Sequence, residues 1–258
     1  KILTNYNLNI SLSSDIDYLI LPSPHFLIKN AKIFNHNSSI PEEIGQIKKL
    51  KVFISQKSLM KQKHMRITEL LIKDANFSIR NDNLNFYYNY INNKLSDNRI
   101  EIKNSNFFFK DKADETISIL FIPNSNLFFD KEKKINKLSG KGEMFQIPIN
   151  FKWKRRFDGN STKNFLFNIE SLNLYFENKS SISEKNIDQG ENIINLGNAK
   201  FITEYLFKKN SILIKSENSK VFNNFIIYQG EINIKPFFIN LDINLEKINL
   251  HSTIVTNS

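Results

Sequence analysis

One phrase returns four times in the first half of this chain, and it sets what the chain can fold into. It reads apolar-x-Ile-Lys/Pro-Asn/Asp-Ala/Ser-x-apolar-x-apolar, over residues 26–34, 70–79, 100–109 and 120–129. Each copy is a strand, a polar kink and a second strand. Apolar residues alternate on both sides of the kink, but their phase flips across it. Ile100 and Ile102 are even, Phe107 and Phe109 odd; Ile28 gives way to Ala31 and Ile33, and Ile72 to Phe77 and Ile79. In a period-2 pattern a one-residue slip turns every apolar side chain to the other face. A bulge or tight turn at the Asn or Asp returns them, and these residues suit it because they tolerate left-handed backbone. In the fourth copy both Phe121 and Ile122 are candidates for the inward position. The expectation is many strands that all offer one apolar face.

Composition agrees with strands. Ile and Asn each occur 38 times and Phe 23 times, against four Ala. Ala is the best helix former and Asn a poor one, while Ile, Phe and Tyr favour strands. Alternation continues at Leu50, Val52 and Ile54, over residues 143–157, at Phe165, Phe167 and Ile169, and at Ile239, Leu241, Ile243 and Leu245. On the order of fifteen strands are expected. Helix is expected only in short pieces. One turn fits residues 40–47, with Pro41 early and acids near its start; another fits residues 55–63, with Leu59 and Met60 on one side. Residues 81–96 read as an irregular helix or a loop. Residues 177–191 are polar throughout and read as the clearest loop. The chain is taken as a single segment over 1–258, and that loop is where it would separate into 1–176 and 192–258.

Little in the sequence points to chemistry. There is no Cys, which excludes disulfides, thiolate metal sites and Cys nucleophiles. His25, His36, His64 and His251 lack ligand-spaced neighbours, so no metal site is expected. Asp15 and Asp17 sit two apart, but nothing sets their acidities apart as acid–base work requires. There is no Gly-x-Gly-x-x-Gly and no Gly-x-Ser-x-Gly. No catalytic residue, no cofactor and no enzyme activity are expected. The formal charge of +10 reads as a solvated surface, with attraction to anionic lipid or nucleic acid as the sharper alternative. Lys152, Trp153, Lys154, Arg155 and Arg156 form the one basic and aromatic cluster. It is a candidate for lipid head-group contact, against an exposed strand end with a packed Trp. No run reaches the roughly 18 apolar residues of a membrane span. The first residue is Lys, as expected of a processed or excised piece whose anchor would have preceded it.

An apolar sheet face must be buried. A second sheet can cover it, as in a dry-cored sandwich or adhesive fibre, or the sheet can close into a barrel; helices are too scarce; the remaining option is a hydrophobic ligand. The order of elements resembles one family. Residues 18–179 are similar to the N-terminal region of AsmA-family proteins, which carry a proline-marked strand of the type Pro22-Ser-Pro-His-Phe-Leu-Ile-Lys-Asn-Ala-Lys-Ile33. A strand of the type Ile47-x-x-Leu50-x-Val52-x-Ile54 follows. A strand pair of the type Arg66-Ile-Thr-Glu-Leu-Leu-Ile-Lys-Asp-Ala-Asn-Phe-Ser-Ile79 comes next, and then hairpins such as Ile102-Lys-Asn-Ser-Asn-Phe-Phe-Phe-Lys-Asp111. Asn81-Asp-Asn83 stands where that family usually has Gly.

The resemblance implies a mainly β fold: a long curved antiparallel sheet forming an open hydrophobic groove, as in TamB-related, bridge-like lipid transfer proteins, with two or three short helices. It implies phospholipid movement between inner and outer membrane, outer-membrane biogenesis, and a periplasmic location with an inner-membrane anchor through an N-terminal helix not in this sequence. The groove residues expected are Ile72, Phe77, Ile79, Ile102, Phe107, Phe109, Phe121, Phe129, Phe165, Phe167, Ile169, Ile239, Leu241 and Ile243. Phospholipid acyl chains are the expected partner. Nucleic acid is not, and no protein partner is named.

Overall fold

The described residues hold sixteen strands in open, mostly antiparallel sheet, and the chain divides into two units, residues 1–156 and 157–258. The structure is a computed structural model; it describes residues 9–11, 15–35, 42–57, 66–158, 161–182 and 188–245.

The first unit holds β1 (Asn9–Ser11), β2 (Ile16–Leu19), β3 (His25–Asn35), β4 (Glu42–Ile54), β5 (Ile67–Ile79), β6 (Arg99–Lys110), β7 (Thr116–Asp130), β8 (Ile135–Met144) and β9 (Ile147–Arg156). Strands β3 to β9 pair in sequence order; β1 and β2 both pair with β3. Every pairing is antiparallel except β5 with β6. A parallel pair needs a crossover, and helix α1 (Leu84–Asn92) supplies it.

The kinks are where the repeated phrase puts them. Asn30, Asp74 and Asn104 have φ of 53°, 55° and 47°, the left-handed region that Asn and Asp enter most readily. Buried positions change phase there, from Ile28 to Ala31 and Ile33, and from Leu70 and Ile72 to Ala75 and Phe77. The register keeps its count, with Lys29 opposite Lys49 and Ala31 opposite Ile47. A left-handed residue, not an inserted one, turns these strands. The fourth copy works differently. Phe121 faces Glu143 while Asn124 faces Lys141, so β7 carries one extra residue, a bulge. It leaves Ile122 inward and fully buried, with Phe121 on the other face.

In register, these strands lay apolar rows across the sheet. One runs Val52–Leu70–Ile100–Leu127–Leu138–Trp153, another Ile33–Gly45–Phe77–Phe107–Leu120–Met144–Ile147. Gly45 is needed in the second: a Cβ there would stand 2.9 Å from the Phe77 ring. The burial of Ile44, Ile47, Leu50, Val52 and Ile54 corrects the expected helical turn at 40–47. From Glu42 onward this is strand, because pairing on both edges outweighs a local signal of one turn. Gln56 and Lys57 are helical as expected, Ser55 is not, and 58–63 lie outside the described residues.

The second unit is a sequential meander: β10 (Thr162–Ile169), a 3-10 turn (Glu170–Leu172), β11 (Leu174–Ile182), β12 (Asp188–Leu196), β13 (Ala199–Phe207), β14 (Ser211–Val221), β15 (Asn224–Ile234) and β16 (Phe237–Leu245). The polar stretch 177–191 is strand at both ends, correcting the expected loop; 183–187 lie outside the described residues. Its polar side chains bond across strands: Asn178 to Asn192 at 2.8 Å, and Asn164 to Glu177 at 2.8 Å.

Candidate functional site

Helix α1 lies over the inner face of the first unit. Its sequence, Leu-Asn-Phe-Tyr-Tyr-Asn-Tyr-Ile-Asn, has weak helix propensity, and short helices are marginal alone. Tertiary bonds hold it. At its start, the buried Asn83 donates to Glu42 (3.0 Å) and the Ser78 carbonyl (3.2 Å), and accepts from the Arg80 amide (2.9 Å). Glu42 also pairs with Arg80. Tyr87 Oη lies within hydrogen-bond distance of the Ile44 and Ser78 carbonyls, at 3.1 and 2.9 Å. Burial pushes its phenol well above the ordinary value, with the Glu42 charge adding to the shift. At the helix end, the fully buried Asn136 of β8 donates to the carbonyls of Ile91 (3.1 Å) and Asn93 (2.6 Å) and accepts from the Leu95 amide (3.0 Å). Arg155 of β9 donates to the Asn92 carbonyl and side chain, a cation where the helix dipole is negative.

Beneath α1 is a cavity of about 240 Å³, partly open to solvent. Its floor includes Ile72, Phe77 and Ile79 of β5, Ile102, Phe107 and Phe109 of β6, and Leu120 and Ile122 of β7; its roof is Phe86, Tyr87, Tyr90 and Ile91. Phe77 and Phe107 stack with centroids 4.5 Å apart. The structure thus gathers six of the residues named from sequence. The roof was missed, although apolar residues at 86, 87, 90 and 91 have helical spacing. One helix covers part of a face that helices were expected to be too scarce to cover.

Other named residues fall elsewhere. Phe129 is buried in the core, under Lys94 at 4.3 Å, and is not in the cavity wall. Phe121 is excluded from it by the bulge. In the basic cluster, alternation on β9 buries Trp153 while Lys152, Lys154 and Arg156 point outward. With Arg155 committed to α1, the five do not make one head-group surface.

The second unit presents a different arrangement. Residues paired across strands share a face. One face carries Phe167–Phe176–Ile194–Phe201, Phe207–Ile212–Ile232–Ile239 and Tyr205–Ile214–Gly230–Leu241; the next row, on the other face, is Glu204–Lys215–Gln229–Asp242. Phe165 shares the apolar face and lies against Phe176, rings tilted by 58° with centroids 6.1 Å apart. Ile243 joins it opposite Tyr228. Ile169, also on it, is the one buried apolar side chain among this unit's described residues. Ile239, Leu241 and Ile243 remain 56%, 40% and 54% exposed.

Among the described residues no group of three or more His, Asp or Glu comes together to hold a metal, and no helix is long and apolar enough to cross a membrane. What both surfaces offer is apolar contact. Among known proteins, no family model matches the chain, and no curated protein matches it in sequence.

Proposed function

We propose that the chain shelters hydrocarbon tails of phospholipids on the apolar faces of its sheet, without catalysis. The observation that carries this reading is the apolar face of the second unit, exposed over Ile239, Leu241 and Ile243. Each methylene taken from water is worth about 0.8 kcal/mol, so one acyl chain gains on the order of ten kcal/mol on such a surface. The rows are long and tolerant of sequence, which suits a sliding tail better than a fixed substrate. The cavity under α1, lined almost wholly by Ile, Leu, Phe and Tyr, offers a second apolar surface of the same kind.

The resemblance to AsmA-family proteins supports the same reading. It extends it to lipid movement between inner and outer membrane, in the periplasm, from an inner-membrane anchor. The dry-cored sandwich is less well supported, because it needs a second layer facing the first, and within each unit the described strands from β3 onward pair side by side in sequence order.

Photo-crosslinking tests the reading. A phospholipid with a diazirine in its acyl chain is expected to label Ile239, Leu241, Ile243 or the α1 cavity. Labelling confined to the charged row of Glu204, Lys215 and Asp242 would contradict it.

A further inference from the structure

One end of the first unit differs from the other in kind. There β2 turns into β3, β4 and β7 end, and β5, β6 and β8 begin. The turn from β2 to β3 exposes Ile20 at 66% and Leu21 at 81%, with Ile16, Tyr18 and Leu19 exposed beside them. Residues 18–28 contain no Lys, Arg, Asp or Glu. The turn is nonetheless held. His25, buried, donates from Nδ1 to the Ser23 carbonyl at 2.7 Å and packs on Phe53 at 5.0 Å; the Pro24 carbonyl accepts from the Ile54 amide at 2.9 Å. The nearby carboxylates of Asp15 and Asp17 share the one ammonium of Lys29, at 3.5 and 3.1 Å, leaving one net negative charge there.

Charge at this end is mainly positive. The segments that turn here carry Lys57, Arg66, Lys94, Lys131, Lys133 and Lys134 against Asp97 and Glu132. At the opposite end the described turns carry Arg80 and Lys112 against Asp82, Asp111, Asp114 and Glu115. An aliphatic tip held rigidly in water, with cations spread over the turns beside it, matches the surface of an anionic bilayer. Aliphatic side chains enter the acyl boundary while Lys and Arg meet the phosphates. A protein partner would more naturally meet a groove, and this is a projection. We infer that the Ile20–Leu21 turn is a wedge that docks this end of the first unit on an anionic phospholipid membrane. The inference goes beyond hydrocarbon shelter and does not depend on it.

Vesicle flotation of the full chain tests it, with phosphatidylcholine vesicles containing phosphatidylglycerol against phosphatidylcholine alone. The chain is expected to float with the anionic vesicles and to be released by salt. The Ile20→Asp/Leu21→Asp variant, altered only at exposed positions, should keep its circular dichroism and lose at least about tenfold in binding. Lys131→Glu/Lys133→Glu/Lys134→Glu should weaken binding and its salt dependence together. A wild-type chain that ignores anionic vesicles overturns the inference. So does an Ile20→Asp/Leu21→Asp variant that binds as wild type does, or a wild-type dimer that this variant dissociates. Docking without acyl-chain labelling would leave the wedge standing and count against hydrocarbon shelter alone.

Discussion

Phe77 of β5 and Phe107 of β6 stack with their planes 18° apart, directly opposite one another in the one parallel pairing among the first unit's described strands. They are 30 residues apart, and so are all their neighbours in the register: Ile72 faces Ile102, Lys73 faces Lys103, and Asn76 bonds Asn106 at 3.1 Å. The second and third copies of the repeated phrase therefore pair like with like. Both kinks fall side by side, where Asn104 donates to Asp74. The phrase does more than mark strands; it is what lets two of them align in parallel.

The stacked pair should carry stability that its outward neighbour does not. Phe107→Ala is expected to cost about 2–3 kcal/mol, less than a fully buried Phe because the ring is half-buried. Phe108→Ala, facing outward, should cost less than about 1 kcal/mol. Urea unfolding of both variants checks the difference, and equal losses would contradict the assigned faces.

Left-handed backbone at Asn104 makes a sharper prediction. Asn104→Gly should lose only the bond to Asp74, at most about 1 kcal/mol, since Gly enters that region freely. Asn104→Val should cost about 1–2 kcal/mol, because a β-branched residue is strained at φ 47°. Thermal melts of the two variants give the comparison.

These kinks were legible because they rest on period and residue type alone, at Asn30, Asp74 and Asn104. So was the strand-rich fold. What escaped the sequence depended on partners distant along the chain. Residues 81–96 read as an irregular helix or a loop, and α1 is the first of these; its propensity does not decide between them, and the bonds of Asn83, Tyr87, Asn136 and Arg155 do. Residues 42–47 look helical locally but lie between two strands. Polar residues 177–182 read as loop because strands usually bury a face; here the pairing of Asn178 with Asn192 sits on a sheet with few buried side chains. Trp153 was grouped with its basic neighbours as a head-group candidate, against a packed Trp at a strand end; alternation on β9 buries it, as the second reading has it.

Asn136 should be the most sensitive polar residue. Asn136→Ala strands the Leu95 amide and two carbonyls near the end of α1, so a loss of about 2–3 kcal/mol is expected. Hydrogen exchange should show the amides of residues 88–95 losing protection more than those of β3 and β4. A uniform loss would contradict the clamp.

Acid should weaken the fold through paired carboxylates. The Lys137 ammonium and Lys133 amide hold Asp130 below the usual carboxylate range, and the Asn104 side chain does the same for Asp74. Depressed folded-state values mean that their contribution is present above about pH 4, where the unfolded carboxylates are ionised. It is lost as pH falls through the folded-state values. Melting temperature should therefore hold from about pH 8 to 5 and fall below about 4. Asp74→Asn/Asp130→Asn should flatten that fall; an unchanged slope would contradict the assignment.

The central claim is that apolar sheet faces are left open to hydrocarbon, and native mass spectrometry of the full chain after phospholipid loading, with extraction of what is bound, tests it most directly. The account predicts adducts of phospholipid mass, retained in Lys152→Glu/Lys154→Glu because those side chains point away from the inner face. A spectrum showing only the bare chain, even with phospholipid in excess, would contradict it.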